Sequence, residues 1–220
     1  MLQPKHFNAI LFKEFKSEWK DRTGVSGLIM YVIATVFICY MSFRHQPEAH
    51  VWNALYWIVM LFASVNVVAK SFLKNDQGNE LYHYILADPA SYIAAKTVYN
   101  LILLLFLGVI NFLVFSLWLG YPGGSFIQLF VSVILGCIAL STVMTFIAAL
   151  SSKARGNTAL MAVLGFPVLL PFVLLQMRLS KNILDGIAWS VNIRYALLLL
   201  ALSLMISALS YILFPYLWRD

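Results

Sequence analysis

The stretch TVYNLILLLFLGVINFLVFSLWL, residues 97–119, decides the fold: it holds no Asp, Glu, Lys, Arg or His. A helix rises about 1.5 Å per residue and a bilayer core is about 30 Å thick, so a run of this length crosses it. Working outward, five further stretches meet the same criterion: Val25–Phe43, Val51–Val68, Phe126–Leu150, Thr158–Met177 and Tyr195–Phe214. None carries an ionisable group at its middle. The expectation is an all-α membrane protein with six transmembrane helices, residues 25–220, preceded by a cytoplasmic amphipathic helix over residues 1–24.

Composition agrees. Of 220 residues, 62% are hydrophobic and 11% charged, with mean hydropathy +0.85. An ordinary soluble domain has about 45–50% apolar and about 25% charged residues. A water-soluble enzyme, a secreted domain and a disordered chain are excluded. Cys39 and Cys137 both lie in apolar runs with no CxxC or CxxCH spacing, and read as small hydrophobes.

The net charge of +6 does not point to nucleic acid, because the basic residues cluster beside the spans, where they set orientation. With both ends cytoplasmic, 11 Lys and Arg lie inside and 4 outside. The loop after span five is the misfit: Arg178, Lys181 and Arg194 all fall outside. A re-entrant hairpin over Thr158–Met177 would remove the conflict, and Pro167 and Pro171, four apart, make a bend or break there physically reasonable. Six spans with a kinked fifth is the preferred reading. Beyond it Ile183, Leu184, Ile187 and Val191 recur at helical spacing near Trp189, suggesting a short interfacial helix.

The N-terminal segment has no signal-peptide pattern. From Pro4 it reads as an amphipathic helix with Leu11, Phe12, Phe15 and Trp19 on one face and Ile10 out of place. Such a helix lies in the membrane interface, either as an anchor or as a lever joining a soluble partner to the first span.

No phosphate loop, Gly-x-Ser-x-Gly elbow or His-Glu-x-x-His pair is present, so the chain is read as no enzyme, with nucleotide chemistry left to another subunit. No metal site is expected. His45 and His50 flank the first outer loop and read as solvated. The spans keep only neutral polar groups, among them Asn53, Asn66, Asn100, Asn111 and Gln128, whose default role is hydrogen bonding between helices. Without buried charge, a proton-driven carrier is disfavoured.

The segment Lys70–Lys96 is too long for a tight hairpin. Asp88-Pro89 supplies a helix cap and a proline at the first helical position, so a helix begins there and runs into span three. Before it, Gly78 to Leu86 can form a short helix with Leu81, Tyr84 and Ile85 on one face. That face suits either a groove on a soluble partner or the lipid surface.

A basic amphipathic N-terminal helix, six spans, a coupling-type loop after span two and a kinked span five together resemble ABC-2 type transporter membrane subunits. Within that group the chain is similar over nearly its full length to the haem exporter protein B family of cytochrome c maturation. The residues that carry the resemblance are Leu11 with Lys13-Glu14-Phe15, Phe72 with Asp76 and Gly78, and Ala95-Lys96. Lys153 with Arg155-Gly156 and the Phe166-Pro167…Pro171 segment complete it. The chain departs from the family where a small residue and then Leu-Glu tend to follow the loop glycine, the order here being Gly78-Asn79-Glu80-Leu81, and where proline falls late, at Pro89 behind Asp88.

The resemblance implies a bacterial inner-membrane subunit, both termini cytoplasmic, homodimeric within its complex. It implies pairing with a separate ATP-binding ABC subunit and with haem-handling membrane proteins. Haem would be cargo, or a ligand held by a partner. The coupling contacts would fall on Asp76, Gly78, Glu80, Leu81, Tyr84 and Ile85. Two other classes stay open on sequence: an ABC-2 permease for lipid, polysaccharide or drug, and a non-transporting membrane scaffold.

Overall fold

The computed structural model describes residues 4–20, 22–43, 46–73, 88–153 and 158–217. These are helical throughout, apart from short connections: α1 (Pro4–Lys20), α2 (Arg22–Ser42), α3 (Ala49–Leu73), α4 (Pro89–Trp118), α5 (Phe126–Lys153), α6 (Thr158–Leu184) and α7 (Trp189–Leu217). Five of them contain segments long and apolar enough to cross a membrane: Gly24–Ser42, Ala49–Phe72, Pro89–Trp118, Phe126–Ser151 and Trp189–Tyr216.

Helix α5 is the axis of the bundle. Its most apolar window is 83% buried, and it packs against α3, α4, α6 and α7. Helix α2 is the periphery, at 11% buried, touching α1, α3 and α4. Met30, Phe37, Ile38 and Met41 of α2 are exposed, which in a bilayer means facing lipid. The difference follows from residue size. Along α5 the positions Ser132, Gly136, Ala139, Ser141, Thr145 and Ala148 are small and buried, so neighbouring helices approach closely. At Gly136 any Cβ would overlap the Trp57 ring and press on the Gln176 amide carbon.

Helix α4 starts where Asp88-Pro89 predicts. The Asp88 carboxylate accepts from the Ser91 backbone N–H at 3.2 Å and from its hydroxyl at 2.9 Å, and Pro89 opens the helix. Between α3 and α4, Tyr56 donates to the Gly108 carbonyl at 3.1 Å and stacks on Trp52, ring centroids 5.4 Å apart.

The stretch with Pro167 and Pro171 lies within one continuous helix, α6. One expectation beyond it is corrected. The interfacial helix at 183–191 is absent: α6 runs to Leu184 and α7 begins at Trp189. Gly186 explains the stop. Its φ of 73° is accessible to glycine at little cost. There the Gly186 N–H donates to Ile183 and the Ile187 N–H to Asn182, the paired bonds that close a helix C-terminus.

Of the polar span residues, Asn53 and Asn100 join helices as predicted. The Asn53 amide donates to the Met177 carbonyl and accepts from Ser180, and Asn100 donates to Thr145 at 2.9 Å. Asn111 is buried, with neither side-chain polar atom hydrogen-bonded. Asn66 is exposed and Gln128 half-buried. A further polar link escaped the sequence reading: Gln176 of α6 donates to the Ser132 carbonyl and hydroxyl of α5 at 2.8 and 2.9 Å.

Candidate functional site

The claim that no charge is buried does not hold. Lys96 lies seven residues into α4, about 10 Å past its start at the rise of an α-helix, and its side chain is 0% exposed. The register explains this. Once Asp88-Pro89 fixes the helix start, Lys96 falls on the same stripe as Tyr92, Ile93 and Asn100, all buried.

A buried ammonium persists only if paired and hydrogen-bonded. The Glu14 carboxylate of α1 meets Lys96 Nζ at 2.9 Å and is itself only 13% exposed. Nζ also donates to the Ser71 carbonyl and hydroxyl at the end of α3. The rings of Phe72 and Tyr92 stand 5.7 and 5.8 Å from it, within range of favourable cation–ring contact. One side chain thus ties together α1, α3 and α4.

Apolar packing surrounds the pair. Ile10 of α1 lies in a cluster with Tyr92, Ile93, Ala95, Ala149 and Phe214, with Phe7 and Phe72 packed against it. Phe15 meets Tyr99 edge-on at 5.3 Å, and Tyr92 stacks on Phe214 at 5.8 Å. Helix α1 therefore docks on protein and does not merely lie on lipid.

This corrects the predicted α1 face. Ile10, read as out of place, is buried, whereas Phe12 is 70% exposed and Leu11 and Phe15 are half-buried. The real face runs through Phe7, Ile10, Leu11, Glu14 and Phe15, centred on Glu14. Treating acidic residues as polar-face by default hid it. The signal available was a lone carboxylate flanked by apolar residues at helical spacing, matched by a lone lysine in α4. The side chain of Trp19 lies outside the described residues.

Several residues that carry the family resemblance converge here: Glu14, Phe15, Phe72, Ala95 and Lys96. They come from three sequence regions and meet at one end of the bundle. The same end holds Leu73 and Asp88, which bound segment 74–87. The coupling residues Asp76, Gly78, Glu80, Leu81, Tyr84 and Ile85 lie outside the described residues. Pro167 and Pro171 do not belong to this site; both sit on an exposed face of α6.

With this geometry, the chain matches the family of CcmB proteins over residues 5–216. The chain belongs to the CcmB family. The matched range takes in every residue of the junction. Membership makes the chain a multi-pass membrane subunit acting in haem export for cytochrome c maturation, as the resemblance implied. No curated protein matches this CcmB-family chain closely enough to add to that.

A cavity of about 10 Å³, lined by Trp57, Leu61, Gly136, Phe172 and Gln176 among others, has the size of about one water and is far too small for a tetrapyrrole. Among the described residues no three of His, Cys, Asp and Glu cluster as metal ligands. His50 is exposed and pairs with Glu48 at 3.2 Å; His45 lies outside the described residues.

Proposed function

We propose that the chain is the membrane subunit of an ABC-type complex, coupled to a separate ATP-binding subunit through segment 74–87 and helix α1. The observation that carries this is the buried Glu14–Lys96 pair. It fixes the N-terminal helix to the foot of α4, next to both ends of that segment. A push on segment 74–87 reaches α1, α3 and α4 together, because Lys96 holds all three.

The subunit has six spans, with α6 as the fifth. Its 27 residues reach about 40 Å, the thickness of a bilayer with its headgroups. Both termini face the cytoplasm, in keeping with the 11-to-4 distribution of basic residues. The membrane is the bacterial inner membrane. Two copies pair as a homodimer, since closed two-fold symmetry is the commonest arrangement. Haem is cargo, handed between partner membrane proteins while the ATP-binding subunit hydrolyses nucleotide.

Affinity purification from a cell making cytochrome c tests this. An ATP-binding subunit should co-purify, and the isolated chain should hydrolyse no ATP. Robust ATPase activity from the chain alone, after contaminants are removed, would overturn the assignment.

A further inference from the structure

The charges that break the positive-inside pattern have a structural setting of their own. Pro167, Pro171, Leu174, Arg178, Lys181 and Asp185 follow one another at three- and four-residue steps, so they form one stripe along α6 and its terminal turn. All six are exposed. No described helix of this chain covers the stripe. Its inner part is apolar: Leu174 is 63% exposed and Leu170, beside it, 41%. Its outer part is cationic. Arg178 lies over the Tyr195 ring of α7, 5.7 Å from the centroid, and the exposed Arg194 is the residue before Tyr195 on that helix.

Depth decides what this surface meets. Arg178 and Lys181 lie six and three residues before Leu184, the end of α6, or about 9 and 4.5 Å below it. The headgroup layer of one leaflet is roughly 5–8 Å thick. Lys181 therefore lies within the layer of lipid phosphates and Arg178 at its inner boundary, from which a long side chain reaches back to a phosphate, and the apolar stripe continues into the depth of the acyl chains.

We propose that this edge of α6 and α7 is a binding site for an anionic phospholipid. Arg178, Lys181 and Arg194 take the phosphate, and an acyl chain lies along Leu174, Leu170 and Pro171. Stacking on Tyr195 holds the Arg178 guanidinium in a fixed orientation, so the site recognises a headgroup rather than merely sitting in a charged layer. Charge complementarity carries the assignment to lipid: a cationic head and an apolar tail at matching depths. On the orientation proposed above the site lies in the outer leaflet, though lipid binding itself does not depend on that reading.

Native mass spectrometry of the full-length chain tests it, with phosphatidylglycerol and phosphatidylcholine offered in equal amounts. The wild type should retain phosphatidylglycerol preferentially. Arg178→Gln should weaken that preference about fivefold, and Arg178→Gln with Arg194→Gln by more, each basic group near a lipid surface contributing on that scale. Arg178→Lys, which keeps the charge and loses the oriented guanidinium, should retain only part of the preference. Lys16→Gln, at an exposed cation of α1, should leave it unchanged. Equal retention of the two lipids by the wild type, or an equal loss in Lys16→Gln, would overturn the proposal. Displacement of the lipid by stoichiometric haemin would assign the edge to a carboxylate-bearing amphiphile instead. A change of oligomeric state in Arg178→Gln would assign it to a second copy of the chain. Either result would also refute the lipid site.

Discussion

Replacing Lys96 by Met keeps the length of its stem and removes the charge. The Glu14 carboxylate, 13% exposed in the native pair, then loses its only ion-pair partner among the described residues. Breaking a buried pair from one side costs about 3–5 kcal/mol. For a chain of this size each kcal/mol shifts the melting temperature by about 2–4 °C, so the loss is on the order of 10 °C. Glu14→Met should cost a similar amount, because the Lys96 ammonium is fully buried and loses its counter-charge. The double variant Lys96→Met with Glu14→Met should recover most of the stability, since apolar replacement of a whole buried pair is often neutral or better. The assay is a thermal melt of the detergent-purified chain for all four species, closing a double-mutant cycle whose coupling energy, with both singles at about 3–5 kcal/mol and a nearly neutral double, is roughly 6 kcal/mol or more. Trypsin cleavage at the exposed Lys13 and Lys16 reports whether α1 has undocked. A Lys96→Met melt within about 2 °C of wild type would refute the reasoning, as would a double variant no better than the singles. Cytochrome c yield then separates clamp from lever. If the double variant restores stability and full yield, the pair only holds α1 in place. If stability returns without yield, the charge transmits motion.

Gly136→Val should lower the melting temperature by roughly 5 °C or more: its side chain would overlap the Trp57 ring, and overpacking costs about 1–3 kcal/mol. Ser180→Ala removes the acceptor of the Trp57 indole N–H and the donor to Asn53; leaving these buried groups unmatched should cost about 1–3 kcal/mol, read in the same melt. Leu81→Ala with Tyr84→Ala should leave insertion and accumulation intact while partner ATPase co-purification falls about thirty-fold, the scale of losing a 2 kcal/mol anchor. The lipid-facing Ile58→Ala, at a position 52% exposed, is the control. Full ATPase retention in the loop variant would make segment 74–87 an interfacial anchor.

Long apolar runs announce helices because a bilayer leaves few alternatives, and five of the six read from sequence recur as candidate spans. Capping was equally legible: Asp88-Pro89 placed the start of α4 to the residue. What failed were judgements about which face a helix turns to a neighbour. Lys96 looked like a loop charge because hydropathy registers its type and not its register. Ile10 looked misplaced because the α1 face was centred one residue away from Glu14. The Gly186 stop was hidden by a periodicity that runs on through Ile187 and Val191 although the backbone reverses there. In each case the deciding partner lies in another helix, and a window along one chain segment does not contain it.

The distribution of polar links indicates which parts of the bundle can move. Helix α4 is tied to α5 through Asn100 with Thr145 and through the Ser141 hydroxyl on the Thr97 carbonyl, and to α3 through Tyr56. Sliding α4 along α5 would break these bonds together, each leaving a buried polar group unmatched at about 1–3 kcal/mol. Helix α2 is less deeply embedded, with Phe37 and Tyr40 resting on Trp118 of α4. It is 11% buried, and the side-chain bonds of Thr35 and Ser42 go to its own backbone. Moving it exposes little new apolar surface in a medium that is itself apolar. Helix α1 joins directly to α2 and is held to the rigid part through Glu14 and its apolar collar. A partner acting at segment 74–87 therefore meets two mechanical routes. The one through α4 is stiff; the one through α1 into α2 is soft, and the Glu14–Lys96 pair stands at their junction. On the coupling proposed above, motion would follow the softer route, and the pair would decide whether a stroke at segment 74–87 reaches α2 or stops at the foot of α4.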